Sequence, residues 1–201
     1  INNCDDLEPD CVSNDTDECG ECGGSSFCFD IGDINVDGLI NVLDVVTLIQ
    51  IILPGDEWNG GIPPSPEQIT LADVNVDGLI NVLDVVTLIQ IIIPDDSLIR
   101  GAKTARSTIS YGNGSMEYTA DGNVLGIQLT AIGDYQITNN RLPEGWNLEY
   151  REGTILIYSI DGSHLNSKVL FEYTGDIFIE SAIFADGYDS HIEVDYVLIP
   201  R

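Results

Sequence analysis

The stretch NVDGLINVLDVVTLIQII occupies residues 35–52, and residues 75–92 repeat it letter for letter. An exact duplication at a spacing of forty residues indicates a structural unit that occurs twice. With the Asp that stands two residues before each copy, we call these units repeat 1 (residues 33–53) and repeat 2 (residues 73–93). The rest of the chain is interpreted outward from these two units.

Oxygen-bearing side chains recur at alternate positions at the start of each repeat. In repeat 1, Asp33, Asn35 and Asp37 precede Gly38, which permits a sharp turn. This is the D-x-N-x-D-G spacing of an EF-hand-type calcium loop, although its twelfth position is Asp44 rather than the usual Glu. Hard oxygen donors on a flexible loop favour Ca²⁺ over Mg²⁺. We therefore predict two Ca²⁺ ions, bound in repeat 1 by Asp33, Asn35, Asp37, the Leu39 carbonyl, Asn41 and Asp44, and in repeat 2 by Asp73, Asn75, Asp77, the Leu79 carbonyl, Asn81 and Asp84.

A helix is predicted after each loop. In repeat 1, Asn41 is a good N-cap with Asp44 three residues later, and Pro54 ends the segment. The only polar residues inside it, Asp44, Thr47 and Gln50, form one narrow stripe, so the helix should be buried on nearly all sides. The helix is too short to span a bilayer. Two such helices can cover one face of each other, so their outer faces need a further partner.

Two calcium loops, each followed by a single helix, resemble a type I dockerin module over about residues 30–95. The resemblance implies a partner of the cohesin type, which is a β-sandwich. It also implies contact through the tenth, eleventh, seventeenth and eighteenth positions of each repeat. Those positions are more apolar here than in many dockerins, which favours a tight contact. They are Val42, Leu43, Ile49 and Gln50 in repeat 1, and Val82, Leu83, Ile89 and Gln90 in repeat 2.

All five cysteines lie in the first 28 residues, which indicates a short disulfide-rich segment with one thiol left over. Residues 17–28 (DECGECGGSSFC) resemble linkers of exported bacterial proteins. A zinc site built from Cys19, Cys22 and Cys28 is the alternative, although no fourth ligand stands at a customary spacing. A redox role for the Cys19–Cys22 pair has less support, because no strand–helix frame surrounds it. The disulfide candidates are Cys4, Cys11, Cys19, Cys22 and Cys28.

The charge balance limits the classes of partner. Seven Lys and Arg against 34 Asp and Glu give a formal net charge of −27, which disfavours nucleic acid and anionic lipid and favours divalent cations. No signal peptide is visible, because the chain opens on INNCDD, but the clustered cysteines favour a mature exported chain, extracellular or at a cell surface. The candidate glycosylation sites are Asn14 and Asn113.

From residue 107 onward the hydrophobic period changes to two, and turn-forming dipeptides such as Asn-Gly and Asp-Gly separate about nine short segments. Nine strands at regular spacing predict an antiparallel β-sandwich. Short patterns, among them Gly126-Ile-Gln-Leu and Ile155-Leu-Ile-Tyr-Ser159, resemble a cohesin-like sandwich. Residues 54–72, between the repeats, contain Gly, Pro and Ser and are predicted to form a loop.

These predictions combine into a multi-domain, mainly β chain. Its segments are a disulfide-rich acidic segment (1–29), an α-helical dockerin-like calcium module (30–97), a linker (98–106) and a cohesin-like β-sandwich (107–201). The main hypothesis is an exported structural protein that self-assembles head to tail, its modules binding other copies of the chain, into a filament, tube or sheath. The alternative is a binding module, carbohydrate-binding in one version, that its dockerin attaches to a separate cohesin. An enzyme is not predicted, since His164 and His191 stand apart from any nucleophile in the sequence.

Overall fold

The computed structural model describes residues 30–53, 63–93, 102–188 and 192–200. The described residues from Ile31 onward belong to one compact unit. The five cysteines and Asn14 lie outside the described residues, as does His191. The predicted disulfides, the zinc alternative and glycosylation at Asn14 therefore stay predictions.

Each repeat forms the predicted helix. The two helices are α1 (Val42–Ile52) and α3 (Val82–Ile92). Asn41 and Asn81 are their N-caps, and in both the side chain of the third helical residue closes a capping box. Leu53 and Ile93 cap the C-terminal ends through backbone N–H groups. The local signals in the sequence are thus sufficient to place both helices.

The prediction that residues 54–72 form a loop is wrong for its last part. Residues Pro66–Ala72 form a short helix, α2. Ser65 is its N-cap in a capping box with Gln68, and Pro66 occupies the first helical position, where proline has no cost. Gln68 also donates from Nε2 to the carbonyl oxygen of Ile34, 3.1 Å away. Proline and serine in this stretch therefore mark the start of a helix rather than a continuous loop.

The part of the chain after residue 102 forms the predicted nine strands, arranged in two sheets. The five-stranded sheet has the order β4-β7-β2-β1-β9, and the four-stranded sheet has the order β5-β6-β3-β8. All pairs are antiparallel except β1 with β9, which is parallel, a difference that alternation alone does not encode. The strands are β1 (Arg106–Gly112), β2 (Ser115–Ala120), β3 (Gly126–Ile132), β4 (Tyr135–Asn140), β5 (Trp146–Arg151), β6 (Thr154–Ser159), β7 (Val169–Gly175), β8 (Phe178–Ala185) and β9 (Glu193–Leu198).

The main core lies between the two sheets, and alternation along each strand directs every second side chain into it. Ile155 and Ile157 of β6 belong to this core. Leu156 and Tyr158 point to the opposite face of the same strand and are nevertheless buried. A strand that is buried on both faces must be covered on its outer side as well.

That outer cover is α3. The two long helices pack against each other, and α3 also contacts β3, β6 and β8 of the four-stranded sheet. The fold class predicted from the sequence, mainly β with a small helical module, is confirmed. The contact between α3 and the sheet was not predicted.

Candidate functional site: two calcium loops and the outer helix faces

The loop of repeat 1 is organised by its first carboxylate. Asp33 is buried, and its two carboxylate oxygens accept hydrogen bonds from the backbone N–H groups of Asp37 (3.1 Å) and Gly38 (2.9 Å). Asp37 in turn accepts from the N–H of Leu39 at 2.9 Å and from the amide of Asn35 at 3.1 Å. Hydrogen bonds to these two carboxylates therefore hold the loop in its folded conformation.

The twelfth position joins the loop to the helix. Asp44 is fully buried, and its oxygens accept from the N–H groups of Asn35 (3.0 Å) and Asn41 (2.9 Å). Asn41 accepts from the N–H of Leu43 at 2.9 Å through its side chain. Asp44 thus serves the helix as a capping-box residue and the loop as a central acceptor, two roles for one carboxylate.

Repeat 2 reproduces this geometry. Asp73 accepts from the N–H groups of Asp77 and Gly78, each at 3.0 Å. Asp84, also fully buried, accepts from those of Asn75 (3.2 Å) and Asn81 (2.8 Å). The twelve predicted metal-ligating residues consequently lie in two loops and the first turns of the helices that follow them, with matching hydrogen bonds in both repeats.

The backbone of both loops is strained at one position that sequence reasoning missed. Val36 and Val76 have φ of 62° and 59°, in the left-handed region that a β-branched residue rarely adopts. Such a residue costs about 1–3 kcal/mol and persists where its surroundings over-determine it. Gly38 and Gly78, both at φ 85°, adopt the same region without that cost. The same strain recurs in both copies, and strain of this kind is typical of loops at ligand sites.

The residues present fit a hard cation. Donors in each loop are oxygen atoms of carboxylates, amides and a carbonyl, the set that calcium prefers. In the part of the chain that the structure describes, no group of three or more His, Cys, Asp or Glu side chains is arranged as a metal site, so these carboxylates would depend on the amides and carbonyls to complete a shell. Residues 30–93 contain no Lys, Arg or His, so nothing within the repeats neutralises the carboxylates.

The electrostatics of Asp84 point the same way. Burial raises the pKa of Asp84 to about 6, although three backbone N–H groups counteract it, and the negative charge of Asp77 adds to the rise. A buried carboxylate with no basic residue in its module is stabilised by a bound cation or by a proton. A divalent cation bound in the loop would supply the missing positive charge to Asp84 and Asp77 at once.

The outer faces of α1 and α3 have the same sequence but different surroundings. On α1, Val42 and Leu43 are each 55% exposed, and Gln50 is exposed. On α3, Val82 is completely buried, while Leu83 and Gln90 are half-buried. The remaining two predicted interface positions, Ile49 and Ile89, are buried in both repeats.

One further position on this face escaped the sequence analysis. Val46 is 47% exposed on α1, whereas its counterpart Val86 is 5% exposed on α3. Val42, Val46 and Gln50 follow one another at intervals of four, so they lie on one stripe of the helix. We define the outer face of α1 as Val42, Leu43, Val46 and Gln50, and that of α3 as Val82, Leu83, Val86 and Gln90.

The outer face of α3 lies on the four-stranded sheet. The N–H of Val82 donates to Oε1 of Gln128 at 3.1 Å, and Nε2 of Gln90 donates to the carbonyl of Gly187 at 3.3 Å. Between these bonds the helix approaches Gly126 of β3. A Cβ atom at position 126 would lie 2.7 Å from Cγ2 of Val82 and 3.0 Å from Cγ2 of Val86, closer than real Cβ contacts.

The predicted glycosylation site at Asn113 lies at the turn between β1 and β2. Asn113 is exposed with φ of 50°, and its Nδ2 donates to the carbonyl of Pro200 at 3.1 Å. This amide nitrogen is the atom that a glycan would modify. Glycosylation at Asn113 stays a prediction.

No helix among the described residues is long and apolar enough to cross a membrane.

Comparison with known proteins identifies the repeats but not the sandwich. Residues 31–93 match the family model of the dockerin type I domain, whose members bind calcium and cohesins. No curated protein and no solved structure matches the chain. The likeness of the sandwich to a cohesin stays a prediction, since that region is supported as a β-rich fold and no further. The two loop–helix repeats of this chain are thus similar to type I dockerin domains, and the match covers residues 31–93.

Proposed function

We propose that this chain is an exported attachment protein whose calcium-loaded repeats bind a cohesin on a separate scaffold or cell-surface protein. The family match of residues 31–93 supports a cohesin as the partner class. The observation that carries the proposal is the exposed outer face of α1, where Val42 and Leu43 are each 55% exposed and Val46 is 47% exposed. Apolar side chains grouped on one helix stripe are the usual core of a protein–protein contact.

Two Ca²⁺ ions complete this proposal, one in each loop. The ion in repeat 1 would be held by the predicted ligands from Asp33 to Asp44, and the ion in repeat 2 by those from Asp73 to Asp84. Each ion would neutralise buried carboxylates that also cap the following helix. Calcium would therefore stabilise the helix that carries the partner face, and binding of the partner would depend on it.

The head-to-tail polymer is the competing hypothesis, and the packing of α3 disfavours it. In such a polymer, the sandwich of one copy would bind a helix of the next copy. The surface available for a helix is the outer face of the four-stranded sheet, which α3 already contacts. That surface is occupied within the same chain, at an effective concentration that a free neighbour would have to exceed. Attachment to a separate partner needs no such displacement.

Calorimetric titration of the full chain with a purified type I cohesin domain, with Ca²⁺ and again after chelation, tests the proposal. We expect one-to-one binding in Ca²⁺ and none after chelation. Val46→Asp places a charge in the outer face of α1 and should weaken binding strongly, whereas Ile132→Asp, at an exposed apolar position of the sandwich, is the matched control.

Light scattering on the same samples separates the hypotheses. A chain that is monomeric alone and binds the cohesin agrees with attachment. Calcium-dependent polymers of the chain by itself would instead revive self-assembly. Retention of the chain on a polysaccharide column would add carbohydrate binding to its functions.

A further inference from the structure

We propose that repeat 2 is held permanently by the chain's own sandwich, so that only repeat 1 is offered to a partner and the partner binds in a single orientation. This inference rests on the proposed function for its partner, but the intramolecular contact can be tested without one. We call the contact of α3 with β3, β6 and β8 the cis interface.

The two identical repeats allow the same residues to be compared in two different surroundings. Residues 35–52 and 75–92 are identical, so side-chain chemistry and helix propensity are the same in both repeats. Val42 is 55% exposed and Val82 is fully buried, and Val46 is 47% exposed while Val86 is 5% exposed. Only the tertiary surroundings differ. The cis interface thus shows which kind of surface the outer face of such a helix accepts.

The sheet has a glycine, Gly126, at a place where α3 approaches it closely. Gly126 and Gln128 alternate along β3 and therefore point to the same, outer side of the sheet. Gly126 has an ordinary φ, so no turn demands a glycine there. What excludes a side chain is Val82, whose Cγ2 would lie 2.7 Å from a Cβ at this position. The glycine serves close approach of the helix.

Hydrogen bonds hold both ends of the same helix face. Val82 is the first helical residue, and its N–H has no acceptor within the helix, so Oε1 of Gln128 satisfies a group that would otherwise need water. Two turns later, Gln90 donates to the carbonyl of Gly187. Leu156 and Tyr158, buried on the helix side of β6, add apolar area. Apolar contact with polar bonds at its ends is the composition of a stable interface.

The same features describe the partner of repeat 1. The outer face of α1 would take a β-sheet surface with a minimal side chain opposite Val42 and Val46 and an amide or carbonyl acceptor aimed at the N–H of Val42. A β-sandwich of the cohesin type, the partner class of the proposed function, would have to supply such a surface. Because repeat 2 is occupied in cis, the duplication would not provide a second, rotated mode of binding.

Hydrogen exchange of the full calcium-loaded chain tests the cis interface alone. The N–H groups of Val82 and Val42 have identical neighbours in sequence. We expect exchange at Val82 to be at least about 30-fold slower, and Gln128→Ala to abolish most of that difference. Equal exchange rates at the two sites would overturn the inference, whatever the chain does with a cohesin.

Binding to a type I cohesin domain then tests the single orientation. Val46→Asp should weaken binding by about 30-fold or more, the effect of losing a central contact, whereas Val86→Asp should change it less than about threefold. Gly126→Val should force α3 off the sheet while suiting a strand. The double variant Gly126→Val with Val46→Asp should therefore regain binding through the freed repeat 2.

The outcomes distinguish the two proposals. Equal losses for Val46→Asp and Val86→Asp, or no loss for either alone, would refute the single orientation and leave attachment intact. If neither the unmodified chain nor any variant binds the cohesin, the proposed function is refuted. The exchange rates of Val82 and Val42 would still test whether the cis interface exists. If Gly126→Val is unfolded by circular dichroism, Gln128→Ala combined with Val46→Asp replaces it, and failure of that folded variant to regain binding would count against the inference.

Discussion

Replacing Val86 by Ala, and separately Val46 by Ala, removes the same two methyl groups from the same local sequence. Helix propensity favours alanine by up to about 0.6 kcal/mol at both positions, so this contribution cancels in the comparison. The difference that remains reports the tertiary contact of each side chain. The pair therefore measures what the cis interface contributes to folding.

The expected magnitude follows from burial. Val86 is 5% exposed, so its two methyl groups cost about 1.6 kcal/mol in transfer free energy, and the cavity left against Gly126 raises the loss to about 2–3 kcal/mol. Val46 is 47% exposed, so about half of the transfer free energy remains at stake, and the alanine propensity offsets most of it. We expect Val86→Ala to be less stable than Val46→Ala by about 1.5 kcal/mol.

Urea unfolding in saturating Ca²⁺, followed by circular dichroism at the helix band, is the assay. Equal slopes of the unfolding free energy against urea concentration would show that both variants expose the same surface on unfolding. A difference between their midpoints would then be a difference in stability. A difference below about 0.4 kcal/mol, within the usual scatter of such measurements, would show that Val86 is no better packed than Val46. The reasoning from the cis interface would then be wrong.

Three further outcomes are expected. Asp37→Ala combined with Asp77→Ala removes a donor from each loop and should abolish the calcium-dependent gain in helix signal, whereas unchanged calcium titration would contradict the predicted sites. Gly126→Ala should destabilise the chain because of its overlap with Val82, and should do so by about 1 kcal/mol less when Val82 is also replaced by Ala; strict additivity would exclude the contact. Burial raises the pKa of Tyr118 to about 12, so its stabilising contribution is complete below about pH 10 and is lost as the pH rises towards 12. Tyr118→Phe should make the unfolding free energy depend less steeply on pH over that range, measured by alkaline denaturation. An unchanged dependence on pH would show that other groups cause the loss of stability.

Local patterns predicted much of this molecule because the forces behind them are local. Asn41 and Asp44 form a capping box within four residues, and the structure places α1 where these signals do. The alternation after residue 107 likewise follows from the two faces of a strand, and the nine strands match it. The start of α2 is also encoded locally, by Ser65, Pro66 and Gln68, although the Gly, Pro and Ser content of residues 54–72 favours a loop.

Other features depend on residues far apart in the chain. Gly126 had no separate meaning in the sequence, because nothing near it says that Val82 approaches within van der Waals distance. The parallel pairing of β9 with β1 is also non-local. Leu156 carried a weak signal, since it belongs to an unbroken apolar run that is typical of a strand buried on both faces.

The sequence by itself determined the two loops, the two helices and the strand pattern, since spacing, capping and alternation act over a few residues. It could not determine that identical helices have different surroundings. Val42 and Val82 share every neighbour within several positions, and no local rule can treat them differently. Only the tertiary structure distinguishes them, because the four-stranded sheet has one outer face and α3 covers part of it, while the outer face of α1 stays exposed.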